Sequence, residues 1–416
     1  MKLKKWKTVT IDLSPIEIID GDRGRNYPKQ EEFYDNEYCL FLNTSNVTSQ
    51  GFNFEKTSFV TKKKDQELRK GKLNRDDIVL TTRGTVGNVA YYDKNVLYNN
   101  IRINSGMVIF RNSSPDEISS QYFYQFLRSP LFRIQVESHS SGSAQPQLPI
   151  KDLKKIELPL PTLPTQTRIA AILSALDDKI GLNRETNATL EAIAQAIFKE
   201  WFVNFRYPGA TGAMQDSKLG NIPKAWLIRK LGDVVEIQGG TTPSTKNPEY
   251  WGGEYAWSTP RDLSNLQSPV LLDTERKISN KGVQQISSGI LPKGTLLLSS
   301  RAPIGYLAIT QLPVSINQGY IAIQGRLVSN LFMLFWLSAN MGTIKERANG
   351  STFQEISKSN FREIDIILPS TGALNDFEAS TEPLFNQIVK NEIENKLLSQ
   401  LRDNLLPKLM SGEIEV

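Results

Sequence analysis

Ile78-Val79-Leu80-Thr81-Thr82-Arg83-Gly84-Thr85-Val86-Gly87 returns 218 residues later as Leu296-Leu297-Leu298-Ser299-Ser300-Arg301-Ala302-Pro303-Ile304-Gly305. Each step keeps its chemistry: an aliphatic run that reads as a strand, two hydroxyls, an arginine, a bend and a glycine. The match extends outward in both directions. Trp6 pairs with Trp226, Ile16-Glu17-Ile18 with Val235-Glu236-Ile237, and Ile103-Asn104-Ser105-Gly106 with Ile316-Asn317-Gln318-Gly319. Tyr122–Leu127 pairs with Leu331–Trp336, Gly142-Ser143 with Gly350-Ser351, and Leu153, Ile156 and Pro161 with Phe361, Ile364 and Pro369. The separation drifts from 220 to 208 residues and then stays at 208, where Leu176, Ile180, Asn187 and Leu190 meet Leu384, Ile388, Asn395 and Leu398. Drift marks loop insertions; the fixed separation marks a gapless helix. The chain is a duplication.

Each half reads as a globular module followed by a long helix. Within 1–160, Ile78–Leu80, Val89–Tyr92 and Met107–Phe110 read as strands and Gln121–Leu127 as a buried helix. The prolines 159, 161 and 164 then end that module. Apolar residues from Ile169 to Trp201 recur at three- and four-residue spacing, which predicts a first helix over 164–206, about 55 Å long at ~1.5 Å per residue. A second module covers 221–369 and a second helix 376–412, with Pro407 expected to bend or end it. His139 reads as a loop residue in Ser138–Gly142. Both helices carry asparagines on the apolar stripe, Asn183 and Asn187 against Asn391 and Asn395. Polar residues at such a seam set the register of a coiled-coil pair. The expected fold is mixed α/β, with two similar modules separated by two long antiparallel helices and an internal pseudo-two-fold relation.

Composition narrows the chemistry. With 416 residues and 39% hydrophobic content, two or more folded cores are expected. A net charge of +5 permits a nucleic-acid partner. One cysteine and one histidine exclude a thiolate metal cluster, and a histidine-based site in each half. The longest apolar run, Leu331–Leu337, is too short to span a membrane, and the basic start Met1–Trp6 lacks the apolar core of a signal peptide, so the expectation is a cytoplasmic protein.

Enzyme signatures are weak. Asn247-Pro248-Glu249-Tyr250 resembles the Asn-Pro-Pro-Tyr motif of amino-methyltransferases, but the second proline and a glycine-rich cofactor turn are missing. Asp262, Glu275 and Lys277 have the spacing of a Mg²⁺ nuclease, yet Glu275 and Lys277 align with Thr57 and Phe59. Gly21-Asp22-Arg23-Gly24 is a turn without further context. No catalytic or metal-binding residue is expected.

Binding chemistry is better supplied. Arg83 and Arg301 follow a strand at a hydroxyl- and glycine-flanked turn, with Thr85 beside Arg83. Two readings stand: a guanidinium forking onto a guanine or phosphate, or a structural arginine paired with a carboxylate. Lys62, Lys63, Lys64, Lys70 and Lys72 are candidate phosphate contacts. Thr241, Thr242, Ser244 and Lys246 offer hydroxyls and a cation in one loop, and Arg261 follows another turn. Gln145, Thr352 and Gln354 lie in polar loops before each module's last strand, with side chains suited to base edges. Two similar surfaces suit a partner with two related sites, and duplex DNA is such a partner.

The order of several stretches resembles the specificity subunit of type I restriction-modification systems. They are Pro164-Thr165-Gln166 leading into Ile169–Ile180, Gly220–Trp226 with Leu231-Gly232-Asp233, Trp257–Leu263, Ser300–Gly305, and the tail Leu405–Ile414. The second helix departs from the pattern, with Pro369–Ala373 in place of Pro-x-Gln. The resemblance implies two target recognition domains reading an interrupted, asymmetric double-stranded DNA site. It implies two helices that set the gap and dock two adenine-N6 methyltransferase subunits, and motor-nuclease subunits for restriction. The chain itself is then non-catalytic and holds no cofactor; S-adenosylmethionine, ATP and Mg²⁺ belong to the partners. The alternatives are a two-lobed protein-binding scaffold without DNA readout, or a stand-alone Mg²⁺-dependent nuclease.

Overall fold

In the computed structural model, which describes residues 6–139, 147–350 and 354–416, the two aliphatic runs form strands Ile78–Thr81 and Leu296–Ser299. All four residues of each strand are buried, so apolar side chains leave both faces. Ile78 and Leu80 join one apolar cluster and Val79 another; Leu296 and Leu298 divide from Leu297 in the same way. A strand covered on both sides needs a continuous apolar run, which is what the sequence displays.

Contacts divide the chain into a first unit, residues 1–178 and 398–416, and a second, residues 179–397. In the first unit an antiparallel sheet runs in the order Ile16–Asp20, Met107–Asn112, Ile78–Thr81, Val89–Tyr91. A three-stranded sheet orders Phe59–Val60, Cys39–Leu42 and Ile101–Ile103, the last two parallel. Strands Thr8–Thr10 and Glu157–Pro159 pair separately. The second unit repeats all three sheets: Val235–Gln238, Tyr320–Gly325, Leu296–Ser299 and Leu307–Thr310, extended by Val270–Leu271; then Arg276–Ile278, Trp251–Ser258 and Val314–Ile316; then Leu227–Lys230 with Asp365–Leu368. The duplication is therefore one of topology, including the parallel pair. The class is mixed α/β, and the sheets are small rather than closed barrels.

The first long helix spans Leu163–Phe198 and continues into a π-helical turn, Lys199–Val203. Pro164 lies in its first turn, where a missing N–H is harmless. Gln166, buried beside it, accepts from the Ser119 amide at 2.9 Å and donates to the Glu117 and Pro161 carbonyls at 3.1 and 3.0 Å. That side chain seats the helix on the module it follows.

The second helix spans Thr371–Ser411, so it begins five residues before the expected start and runs through Pro407. Ser370 caps it, its hydroxyl accepting from Ala373 at 3.4 Å. A proline inside a helix costs about 3 kcal/mol, and burial of Leu406, Leu409 and Met410 in the first unit's core offsets that cost. His139, expected in a loop, closes the helix Pro130–His139. No described helix is long and apolar enough to cross a membrane.

The four asparagines lie buried in the second unit. Asn183 Nδ2 donates to Asn395 Oδ1 at 3.0 Å, and Asn391 Nδ2 to Asn187 Oδ1 at 2.8 Å. The repeat maps one contact onto the other, and the partner numbers run in opposite senses, so these segments are antiparallel. Asn183 also donates to Glu394, and Asn187 to Glu392, both at 2.8 Å. Asn391→Leu should cost about 1–3 kcal/mol, because it leaves the Asn187 carbonyl buried without a donor. Asn187→Leu/Asn391→Leu should recover most of that loss. Urea unfolding of both variants checks this; a double variant no more stable than the single removes the pairwise account.

Candidate nucleic-acid interface

In each unit the motif hydroxyl builds the turn. Thr81 Oγ1 donates to the Thr85 carbonyl and accepts from the Asn88 amide at 3.0 Å. Ser299 Oγ donates to the Pro303 carbonyl at 2.8 Å and accepts from the Gly305 and Tyr306 amides at 3.1 and 2.8 Å. Gly87 and Gly305 sit at φ +97° and +120°, a region strained for any other residue. The second hydroxyl residue ties the turn to its neighbour: Thr82 N donates to Gly106 O and Ser300 N to Gly319 O, both at 2.8 Å. Hydroxyls and glycine thus hold the loop, and the arginine side chain takes no part in it.

The two arginines then diverge. Arg83 pairs through its backbone with Gln147; its side chain is exposed and makes no ion pair among the described residues. Arg301 pairs through its backbone with Glu355, the equivalent position, and its Nη1 lies 3.4 Å from Glu355 Oε2. The carboxylate-paired arrangement is present in one module and has a glutamine in the other. Thr85 is exposed in the Arg83 turn.

Lysines 62–64 open the helix Lys62–Glu67, capped by the Thr61 hydroxyl. Lys62, Lys63 and Lys70 are exposed, with no ion pair among the described residues; Lys62 lies 5.6 Å from the centre of the Tyr38 ring. Lys64 is held by Glu32 at 2.7 Å and Glu67 at 3.1 Å, and Lys72 by Asp65. These two lysines therefore face acids of their own unit.

Beneath the segment lies a buried arginine that the sequence reading passed over. Arg102 Nε meets Asp65 Oδ1 at 2.6 Å, Nη1 meets the Lys70 carbonyl at 2.7 Å, and Nη2 meets the Asp65 and Leu68 carbonyls at 2.7 and 3.0 Å. The guanidinium carries the backbone of 65–70. Its signal was an arginine inside the apolar strand Ile101-Arg102-Ile103. Burial pushes the nearby Cys39 thiol up to about 12, so it is not a nucleophile at neutral pH.

In the second unit, Thr241 Oγ1 donates to Gln285 O at 2.8 Å and Thr242 Oγ1 to Gln318 Oε1 at 2.6 Å. Two indoles fix the same loop: Trp251 Nε1 donates to Ser244 O at 3.1 Å and Trp257 Nε1 to Thr241 O at 3.4 Å. The Arg276 guanidinium lies 3.5 Å from the Trp251 ring centre. Thr242, Ser244 and Lys246 are exposed, as is Gln354. Gln145 and Thr352 fall outside the described residues.

Arg261 is exposed, 3.6 Å from Glu275. The nuclease-like set is used structurally. Asp262 accepts from the Thr259 and Glu275 amides at 2.7 and 2.8 Å, and Lys277 pairs with Asp273 at 2.7 Å. Asn247 caps the turn Pro248–Tyr250. Among the described residues no cluster of three histidine, cysteine or acidic side chains could hold a metal ion.

Residues 4–192 and 223–401 match the family described as the type I restriction modification DNA specificity domain. The chain is 26% identical to the HindI specificity subunit of Haemophilus influenzae, over 95% of this chain and 98% of that one. It is 38% identical to the MjaIX specificity subunit of Methanocaldococcus jannaschii across 45% of this chain and 44% of the relative, so that match spans less than half of the relative's length. The crystal structure of the type I S subunit from M. genitalium shares the fold with a TM-score of 0.58 and 16% identity, covering 98% of both chains.

Proposed function

Because the chain belongs to the family of type I restriction-modification DNA specificity subunits, whose members are non-catalytic, we propose that it reads a bipartite, asymmetric site in double-stranded DNA, one half per module. The observation that carries this reading is a repeated frame with unlike exposed chemistry. Arg83 faces Gln147 where Arg301 faces Glu355, and the first unit carries an exposed lysine-rich segment while the second carries an exposed threonine- and serine-rich loop at a different place in the repeat. Equal frames dock equally on a duplex; unequal side chains read unequal sequences. The asparagine-registered helix pair fixes the gap between half-sites and docks two methyltransferase subunits. Those subunits bring S-adenosylmethionine and methylate adenine N6, and motor-nuclease subunits bring ATP- and Mg²⁺-dependent cleavage. This chain supplies the address.

Single-molecule sequencing of adenine-N6 methylation tests it, in cells carrying the chain with its methyltransferase partner and in cells lacking the chain. A two-part motif with a fixed gap should vanish with the chain; methylation identical in both leaves a protein scaffold in its place. Arg83→Ala should weaken binding by about 10-fold or more, as expected for the loss of a fork worth ~1–3 kcal/mol. Arg301→Ala, already tied to Glu355, should change binding less. Equal losses would remove the distinction drawn between the two turns.

A further inference from the structure

Resting on that reading, the geometry points to Arg25 as a further specificity-determining residue of the first module, positioned by Asp22 and Arg23. The repeat that aligns Ile16–Ile18 with Val235–Ile237 also aligns Gly21 with Gly240, Arg23 with Thr242 and Arg25 with Ser244. The structure anchors the two loops to the corresponding turn, Asn104–Gly106 in one unit and Ile316–Gly319 in the other, with the glycine contact shifted by one residue between them. A Cβ at Gly21 would stand 2.2 Å from the Asn104 carbonyl oxygen, and one at Gly240 1.8 Å from that of Ile316, so both loops leave their sheets at an approach only glycine permits. Arg23 Nη2 donates to the Ser105 carbonyl at 3.3 Å, and Thr242 Oγ1 donates to the Gln318 side chain. Ser105 and Gln318 are equivalent in the repeat. The loop Gly21–Tyr27 therefore occupies the place of the Thr241–Lys246 loop, although the two share almost no side-chain chemistry.

The loop is held by a buried charge. Asp22 is 8% exposed; its Oδ1 accepts from the Gly24 amide at 2.7 Å and its Oδ2 from the Arg69 amide at 2.8 Å. A buried carboxylate with both oxygens on backbone amides is stable only while that geometry holds. The contacts join the loop to the lysine-rich segment on one side. On the other, Arg23 reaches Ser105, whose neighbour Gly106 accepts from Thr82 in the Arg83 turn. Arg23 is also held by Asp20 at 3.1 Å. Arg25, two residues beyond Arg23 in this loop, is exposed and makes no ion pair among the described residues. A rigid loop offering an uncommitted planar fork is suited to guanine O6 and N7. The second module has a serine hydroxyl there, so the two halves read differently at this position.

The test measures, for the complex with the methyltransferase subunit, the affinity ratio between the methylated motif's DNA and DNA changed at one base at a time. In Arg25→Ala the ratio should fall about 10-fold or more at one position of one half-site and hold elsewhere. Arg25→Lys keeps the charge but loses the fork and should show the same fall. Asp22→Ala should lower the ratio at that position and no other. Ratios unchanged at every position overturn the proposal. So does an equal loss on all sequences by a folded, assembled Arg25→Ala complex that Arg25→Lys restores with an unaltered motif, since that is a phosphate contact. Wild-type protein that binds without any preferred sequence would instead fail the parent reading, before any variant is compared.

Discussion

Phe377→Ala is expected to destabilise the second unit by about 3–5 kcal/mol. Phe377 lies on the second long helix and is fully buried. Its ring meets Phe198 and Phe202 of the first long helix and its π-helical turn at 5.9 and 5.1 Å between centres, and Phe332 and Phe335 of helix Asn330–Ala339 at 6.1 Å each. Trp201 closes the cluster at 6.2 Å. Nearly all these contacts are edge-to-face, which adds to the area term. One side chain thus joins three elements, and alanine leaves a cavity with five rings around it. Five of the six tryptophans belong to this unit, so intrinsic tryptophan fluorescence follows its unfolding almost alone. The denaturant midpoint should fall with little change in slope. Because the helices rest on this cluster, the second unit should lose structure at a lower temperature in this variant, and on the proposed reading recognition of one half-site should fall with it. An unfolding free energy within about 0.5 kcal/mol of wild type would mean that the aromatic cluster does not hold the helices to the module.

The frame of the fold was legible because the chain states it twice. Ile78–Thr81 and Leu296–Ser299 announce themselves through continuous apolar runs, and Gly87 and Gly305 through a backbone requirement that few residues meet. Side-chain partners were less legible, because they come from distant sequence. Glu355 lies 54 residues from Arg301, and Glu32 some thirty from Lys64. Nothing in a local window separates those cations from Arg83 or Lys63. Pro407 misled for a similar reason: its cost is local, and the apolar burial that offsets it is tertiary. Asp262 carried a nuclease-like spacing, yet its oxygens close a helix start and a neighbouring strand approach. The Gly21-Asp22-Arg23-Gly24 turn was visible but its equivalence to the Thr241–Lys246 loop was not, because past the glycine the two stretches share almost no side-chain chemistry.

Asp65→Ala is the counterpart prediction for the first unit, with an expected cost of about 3–5 kcal/mol. Asp65 is 3% exposed and Arg102 5%. An arginine does not discharge by losing its proton, so removing the carboxylate leaves a buried cation with only carbonyl partners at Lys70 and Leu68, besides that of residue 65 itself. The pH dependence follows from the same contacts. Burial alone would raise the Asp65 carboxyl, but hydrogen bonds from Lys72 and Arg102 outweigh it and hold the group below the ordinary aspartate value. A group lowered on folding adds stability that is complete above its unfolded pKa, near 4, and is lost as pH falls through the folded value. Wild type should therefore weaken below about pH 4 more steeply than Asp65→Ala. Asp177 behaves alike, since Arg128 and Arg402 outweigh its burial, so neither protein is flat in that window and the difference between them isolates Asp65. Hydrogen exchange of peptides from the first unit measures both effects. If exchange in 62–72 is unaltered by the substitution, Arg102 does not organise the segment. If it rises, the backbone that carries Lys62, Lys63 and Lys70 is no longer held, and on the proposed reading the salt slope of DNA binding should become shallower by up to about 0.9 for each phosphate contact given up.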